Sequence, residues 1–213
     1  MKIWNTSENS EKWVNNIIRN IKDISVDRLE ELLPHIDFVN RNIYLDSLTP
    51  SIATKIDAVI RFWNLIDEKD INNLDIGARE PIKFYICTLG GSLSAAMSIV
   101  DTIKLSKTPV YTINTGTVYK EGFYVYLAGR KRFSYPRASF YWEKDIMPFN
   151  ITETQSNYDD FLEDQRLELK DLVLESTRIT ENDYEKRKGW WMTAEKANSL
   201  HVCNEVLRNS HLL

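Results

Sequence analysis

Two units, each a strand, a glycine turn and a helix, follow one another directly in the middle of the chain, and that order constrains the fold more than any other feature. Residues 82–87 (IKFYIC) form a nearly continuous apolar, β-rich run that ends in Thr88-Leu89-Gly90-Gly91-Ser92. A helical spacing of Ala95, Ala96, Ile99, Val100 and Ile103 comes next. The order then repeats: 109–114 (PVYTIN) reads as a strand, Gly116 as the turn, and 118–128 (VYKEGFYVYLA) as a mainly apolar helix closed by Gly129. Consecutive units of this kind predict an α/β fold, a parallel sheet covered by helices.

The flanking sequence divides into recognisable pieces. Residues 10–33 read as two short amphipathic helices, with Trp13, Ile17, Ile18 and Ile21 on one face of the first and Val26, Leu29, Leu32 and Leu33 on the second, before Pro34. Arg41 to Leu45 has strand character, and Thr49-Pro50 opens a helix whose apolar residues Ile52, Ile56, Val59, Ile60, Trp63 and Ile66 keep helical period. A polar loop carrying Gly77 spans 67–81, and a short strand pair is expected at 132–134 and 138–142, split by Tyr135-Pro136. From 152 to 178 runs a long charged helix whose apolar residues Phe161, Leu162, Leu169, Leu172 and Val173 are too few to be wrapped on all sides, so it projects or packs on a partner. Thr180 with Asp183 starts another helix in capping-box fashion, and Thr193 caps a last one before the apolar stretch 202–207. The expected organisation is an amino-terminal helical extension, 1–40, and a main domain, 41–213.

Composition excludes several classes. A chain of 213 residues that is 43% hydrophobic and 27% charged is long enough to bury one sizeable core. Its 27 basic and 31 acidic residues, net charge -4, form no basic stripe, so nucleic acid is not an expected partner. No apolar run approaches the roughly 18 to 20 residues of a membrane span. Cys87 and Cys203 stand in apolar surroundings without metal-ligand spacing and read as buried free thiols, which leaves no expected disulfide and no expected metal site. The start of the chain, MKIWNTSENSEKW, lacks the pattern of a secretion signal, and a cytoplasmic location is expected. Neither a GxxxxGK[ST] loop nor a GxGxxG turn is present, so no cofactor is expected.

The ordered segments resemble the Clp protease proteolytic subunit (ClpP), a family of the crotonase-like fold whose members stack in rings. FYICTLGGSLSAAMSIVDTI (84–103) is similar to the family's strand, Ser-Pro-Gly-Gly-Ser turn and helix. INTGTVYKEGFYVYLAG (113–129) resembles its Val-Gly-Gln-Ala-Ala-Ser-Met-Gly segment with the Leu-Ala-Ala-Gly ending. KRFSYPRASFYWEK (131–144) resembles the strand that carries the family's catalytic His, and WMTAEKANSLHVCNEVL (191–207) its closing helix and strand. The resemblance spans 41–207 and implies a ClpP/crotonase-like fold, with 152–178 as the protruding handle by which family rings stack.

Carried over residue by residue, the resemblance finds the catalytic triad replaced. Counting from Gly116, the nucleophilic Ser falls on Lys120, with Glu121 and Gly122 after it; counting from Pro136, the His falls on Glu143. Counting back from Met192-Thr193-Ala194, the Asp falls on Glu185. The three histidines, His35, His201 and His211, are not in the strand that should present one. A serine peptidase needs a hydroxyl, an imidazole to take its proton and a carboxylate to orient that imidazole. The resemblance further implies that the oxyanion-hole equivalents are Gly90, Gly91 and Glu121. Lys120 is expected to pair with Glu143, since a lysine at a helix start opposes the dipole unless acids neutralise it. Two other readings stay open: Lys120 as a base or nucleophile beside Glu143, and Ser92 or Ser94 in a Ser/Lys dyad with Lys120. Substrate capture by strand addition along 144–155 is in doubt, because that segment has no glycine and one proline.

What the resemblance implies for function is a ClpP-like pseudoprotease: a non-catalytic subunit of a homo-oligomeric ring, heptameric by resemblance, alone or with an active ClpP subunit. The first 40 residues are unlike the family's axial loops, so a Clp-type ATPase partner stays open. The alternatives are an active hydrolase or crotonase-like acyl enzyme that uses Lys120 and Glu143, and a binding module built on the amino-terminal helices.

Overall fold

The computed structural model describes residues 36–69, 79–144 and 158–208. The chain forms two compact units, Met1–Asn42 and Ile43–Leu213. In the first, the described residues hold a two-residue strand, β1 (Ile36–Asp37), and a turn in which the Asp37 carboxylate accepts from the Asn40 backbone N–H at 2.9 Å and from its side-chain amide at 2.8 Å. The two helices expected over 10–33 lie outside the described residues.

From the boundary onward the elements are β2 (Asn42–Leu45), α1 (Pro50–Lys69), β3 (Ile82–Thr88), α2 (Leu93–Leu105), β4 (Val110–Tyr119), α3 (Glu121–Leu127), β5 (Lys131–Ser134) and β6 (Ser139–Glu143). They continue with α4 (Tyr158–Ser176), α5 (Glu181–Glu185), β7 (Gly189–Thr193), α6 (Ala194–Ser199) and β8 (Glu205–Val206). Strands β2, β3, β4, β5 and β8 lie side by side in that order. The expected parallel sheet is present, since β3 and β5 both run parallel to β4, and β8 runs parallel to β5.

β4 organises the rest, because it changes partner along its length. Tyr111 to Asn114 pair with β5, whereas Thr117 to Tyr119 pair with Ser139 to Tyr141 of β6. β6 in turn carries β7 antiparallel on its other side. Two expectations are corrected here. The strand does not turn at Gly116 but runs on to Tyr119, so α3 begins at Glu121 rather than at 118: Val118 and Tyr119 serve the ladder to β6 instead of a helix face. Gly116 is needed for close approach, as a Cβ there would lie 2.7 Å from Cys87 Sγ. The two short strands 131–134 and 139–143 do not pair with one another, because β4 separates them by taking one at each end.

Burial follows the expected periods. On β3, Ile82, Phe84 and Ile86 point into the core, while Lys83, Tyr85 and Cys87 alternate to the other face. Cys87 is therefore exposed, a correction to the expected buried thiol, while Cys203 is buried. Every residue of α3 is buried, and α4 packs against it, burying Leu162, Leu169 and Val173. The charged helix is thus anchored along one face over its described length, while 152–157 lie outside the described residues. The caps read from the sequence are in place: Thr180 accepts from the Asp183 N–H at 3.1 Å, and Thr193 from the Lys196 N–H at 3.3 Å. Among the described residues no helix is long and apolar enough to cross a membrane, and no group of three His, Cys, Asp or Glu is placed to hold a metal ion.

Candidate active site

The site is built where β3 and β4 hand over to α2 and α3, at the carboxyl ends of two adjacent parallel strands. After β3 the chain turns through Gly90 (φ 94) and Gly91 (φ 150), backbone conformations that disfavour any side chain. A segment before α1 clamps this turn: Leu48 N–H donates to Gly90 O at 3.3 Å and Leu48 O accepts from Ser92 N–H at 2.9 Å. A Cβ on Gly91 would lie 2.3 Å from Leu48 O, so the turn admits nothing larger than glycine there.

After β4 the chain turns at Lys120, which has φ 50 and ψ -117 although it is not glycine. A residue held in this region costs roughly 1–3 kcal/mol unless its surroundings fix it. Here they do: Lys120 N–H donates to Tyr141 O on β6 at 3.0 Å, and Lys120 O accepts from Phe123 N–H at 2.9 Å. The result is a strained strand-to-helix elbow that pushes one side chain out over the sheet, the geometry by which such elbows present a nucleophile.

What it presents is an ammonium. Lys120 Nζ lies 2.9 Å from Glu143 Oε2 and 5.6 Å from the centre of the Tyr119 ring. The Glu143 carboxylate bonded to it holds the Lys120 ammonium above its ordinary value, so the side chain stays protonated at neutral pH and has no lone pair with which to act as base or nucleophile. Ser92 and Ser94 do not reach it. Ser92 Oγ caps α2 by accepting from Ala95 N–H at 3.3 Å and lies 3.1 Å from Ser94 Oγ, which leaves no Ser/Lys dyad.

The amides of the glycine turn are also spoken for. Gly90 N–H donates to Thr88 Oγ1 at 3.2 Å, and Gly91 N–H donates to the Glu121 carboxylate at 3.0 Å. Glu121 is buried, at 8% exposure, and a Cβ on Gly90 would lie 2.3 Å from its Oε2. An anion from the chain's own first α3 turn thus occupies the Gly91 amide. The sequence marks Glu121 only for its backbone position. Its side-chain role depends on the approach of α3 to the glycine turn, which no local pattern encodes.

Glu185 is not brought to this pair. It ends α5, and its carboxylate is bonded by Lys144 and by Lys170, the latter at 2.9 Å, while Lys170 also holds Glu181 at 2.7 Å. These two lysines pull the Glu185 carboxyl down to about 2. The residue that faces Glu143 across the β6–β7 ladder is Gly189. Any Cβ there would meet Tyr141 Oη at 2.3 Å, and that hydroxyl lies 3.5 Å from Glu143 Oε1. Tyr141 stacks on Tyr119 with ring centres 4.6 Å apart and meets the exposed Trp191 at 4.8 Å. Tyr141 and Gly189 escaped the sequence reading, since the count back from Met192 had no anchor before β7. Segment 145–155 lies outside the described residues, so strand addition has no geometry here.

Comparison with known proteins bears on this geometry directly. The model of the Clp protease family matches residues 70–210, a span that includes both turns and the strand bearing Glu143. The chain belongs to the Clp protease family. Proteolytic subunit 2 of the ATP-dependent Clp protease from Treponema denticola is 26% identical over 153 residues, which cover 68% of this chain and 76% of that protein. The proteolytic subunit from Streptococcus suis is 27% identical over 169 residues, 72% of this chain and 86% of its own length. Among solved structures, a ClpP1 mutant from Listeria monocytogenes superposes with a TM-score of 0.68 at 21% identity, covering 85% of this chain and 97% of that one. The fold is that of ClpP.

Proposed function

We propose that this Clp-family chain is a pseudoprotease, a ClpP-like subunit that takes its place in a ring and performs no peptide hydrolysis there. The observation that carries this reading is the double occupation of the site. Lys120, paired with Glu143, stands at the elbow to which the resemblance assigns the family's serine, and the Glu121 carboxylate holds the Gly91 amide, which on the same resemblance would receive a carbonyl oxygen. The first removes the nucleophile and its base, and the second removes the electrostatic stabilisation, which alone is commonly worth about 10²–10³ in rate. A site that had lost only its serine would keep an empty anion hole.

The supporting features are those of a subunit rather than of a free enzyme. The relatives are named as proteolytic subunits of an ATP-dependent protease, and α4 corresponds to the family's handle. On this reading the chain works in the cytoplasm in a homo-oligomeric, heptameric ring or in a mixed ring with an active ClpP subunit, and alters that ring's assembly or partners. The test is hydrolysis of a fluorogenic peptide, together with labelling by a serine-directed probe, on the wild type and on Lys120→Ala. Neither protein should turn over peptide or take up the probe. Turnover by the wild type that disappears in Lys120→Ala would overturn the reading and assign Lys120 a catalytic role.

A further inference from the structure

A polar cavity of about 540 Å³ opens at the other end of the same strands. Val110, at the start of β4, lines it; Lys120 follows the last residue of that ten-residue strand, which at about 3.3 Å per residue puts roughly 30 Å between the two sites. Lys104 from the end of α2, Arg130 and Arg132 around the start of β5, Glu175 and Ser176 from the end of α4, and His201 with Asn204 complete the wall that matters.

Arg132 is the unusual member, at 8% exposure. Its Nε donates to Val202 O at 2.8 Å, and its Nη2 donates to Ser176 O at 2.8 Å and to His201 O at 2.9 Å. These are carbonyls, not carboxylates; Arg132 is one of the residues that line the cavity, and its Nη1 has no partner among the described residues. Burial pulls the guanidinium down from its ordinary value, against a smaller upward pull from the Tyr126 hydroxyl and the Cys203 thiol. Lys104 and Arg130 are exposed, and neither forms an ion pair with a described acidic residue. Three cations therefore converge on one cavity against a single carboxylate, Glu175, in a chain whose overall charge is -4.

Of the helix ends near the cavity, those of α2 and α3 are closed by other groups, and only that of α4 draws on Arg132. Ser106 N–H closes α2 on Ile103 O at 3.3 Å, Thr112 Oγ1 donates to Tyr126 O of α3 at 2.8 Å, and Arg132 Nη2 itself satisfies Ser176 O of α4. What is left is the solvent-reachable Nη1 edge of an otherwise buried guanidinium, beside two exposed cations. Planar guanidinium and ammonium groups together match a tetrahedral dianion, and Nη1 keeps its donors for an acceptor from outside the chain.

We propose that this cavity is a binding site for a phosphate-bearing anion, received by Arg132 Nη1 and clamped by Arg130 and Lys104. The site is separate from the triad positions and does not depend on whether those are active. The ligand chemistry is the phosphoryl dianion, either free or at the end of a nucleotide. The test is calorimetric titration of the full chain with inorganic phosphate and, separately, with ADP, at ionic strength matched with chloride. The comparison protein is Lys104→Gln/Arg130→Gln, whose two sites are exposed and whose unliganded melting temperature is expected to be unchanged.

The expected result is saturable phosphate binding that raises the melting temperature and is roughly tenfold or more weaker in the double variant. Arg132→Lys, which keeps charge but loses the fork, supplies a second variant with the same expected direction. ADP binding more tightly than phosphate would mean that the site reads a nucleotide; equal affinity would mean that it reads the phosphoryl group alone. A response that does not saturate, or that is the same in wild type and double variant, is a general salt effect and overturns the proposal.

Discussion

The Gly90–Gly91 turn and the Lys120 elbow lie against each other and solve the same backbone problem, a reversal from parallel strand into helix, in opposite ways. The turn uses glycine and is clamped by backbone groups of Leu48. The elbow forces a lysine into positive φ and holds it by backbone bonds to Tyr141 and Phe123. At the turn the absence of a side chain is structural, because the neighbouring carbonyl occupies the volume. At the elbow the identity of the side chain is structurally free, since Lys120 extends to a half-exposed partner. Geometry is thus fixed in both places, while chemistry is fixed only by what the elbow happens to carry. The fold can therefore keep both reversals whatever side chain the elbow carries.

The sharpest way to break this comparison is Gly91→Ala. With Leu48 O 2.3 Å from the new Cβ and φ at 150, the substitution must displace backbone rather than a side-chain end. It should cost about 3 kcal/mol or more in urea unfolding. Next in size is Glu121→Ala, which leaves the Gly91 N–H without its acceptor and should cost roughly 1–3 kcal/mol. Glu121→Gln keeps an oxygen at that place and should stay within about 1 kcal/mol of the wild type. If Glu121→Ala were as stable as Glu121→Gln, the carboxylate would not be holding the Gly91 amide.

The sequence made the frame legible and left the filling obscure, for reasons that differ by residue. Ile82, Phe84 and Ile86 alternate with Lys83, Tyr85 and Cys87, so the strand and its buried face follow from period alone. That same alternation, followed strictly, would have exposed Cys87. Thr180 and Thr193 announce helix starts because capping is a contact across three residues. The end of β4 is not set locally, because Val118 and Tyr119 suit a strand or a helix alike, and the choice is made by β6, twenty residues further on. Glu121 on Gly91 and Tyr141 over Gly189 are long-range events between side chains and glycines, and nothing in the local pattern specifies them. Lys120 with Glu143 was reached only through the ordered resemblance to a family, and no spacing rule joins those two residues.

A smaller effect separates the pair at the elbow from the charge cluster that holds α5 to α4. Glu185 has its carboxyl lowered to about 2 by Lys144 and Lys170, against an ordinary value of 4.5. Its folded value lies below its unfolded one, so the contribution is fully present above about pH 4.5 and is lost as pH falls toward 2. Lys170 is shifted upward by Glu181 and Glu185, so its share is complete below its ordinary value of 10.5 and fades as pH rises beyond it. Glu185→Gln should therefore lower stability at pH 6 and converge with the wild type below pH 2, as followed by the melting temperature across pH. High salt should shrink the difference at every pH, because the groups are at the surface.

The smallest expected effect belongs to Lys120, and it is the one that decides what the elbow is for. Its ion pair with Glu143 joins side chains 36% and 29% exposed, and such pairs contribute about 0–1 kcal/mol. Lys120→Ala loses that contribution and keeps the strained φ, so it should fall by about 0.5–1 kcal/mol. Lys120→Gly loses the same pair but adopts positive φ freely, so relief of strain offsets the loss and the protein should match or exceed the wild type. Urea unfolding of the three proteins gives the order glycine, wild type, alanine if the lysine is an occupant of a backbone device. A large loss in both variants would mean that Lys120 and Glu143 hold the end of β6 against α3, and that the ion pair has become part of the scaffold in place of the chemistry.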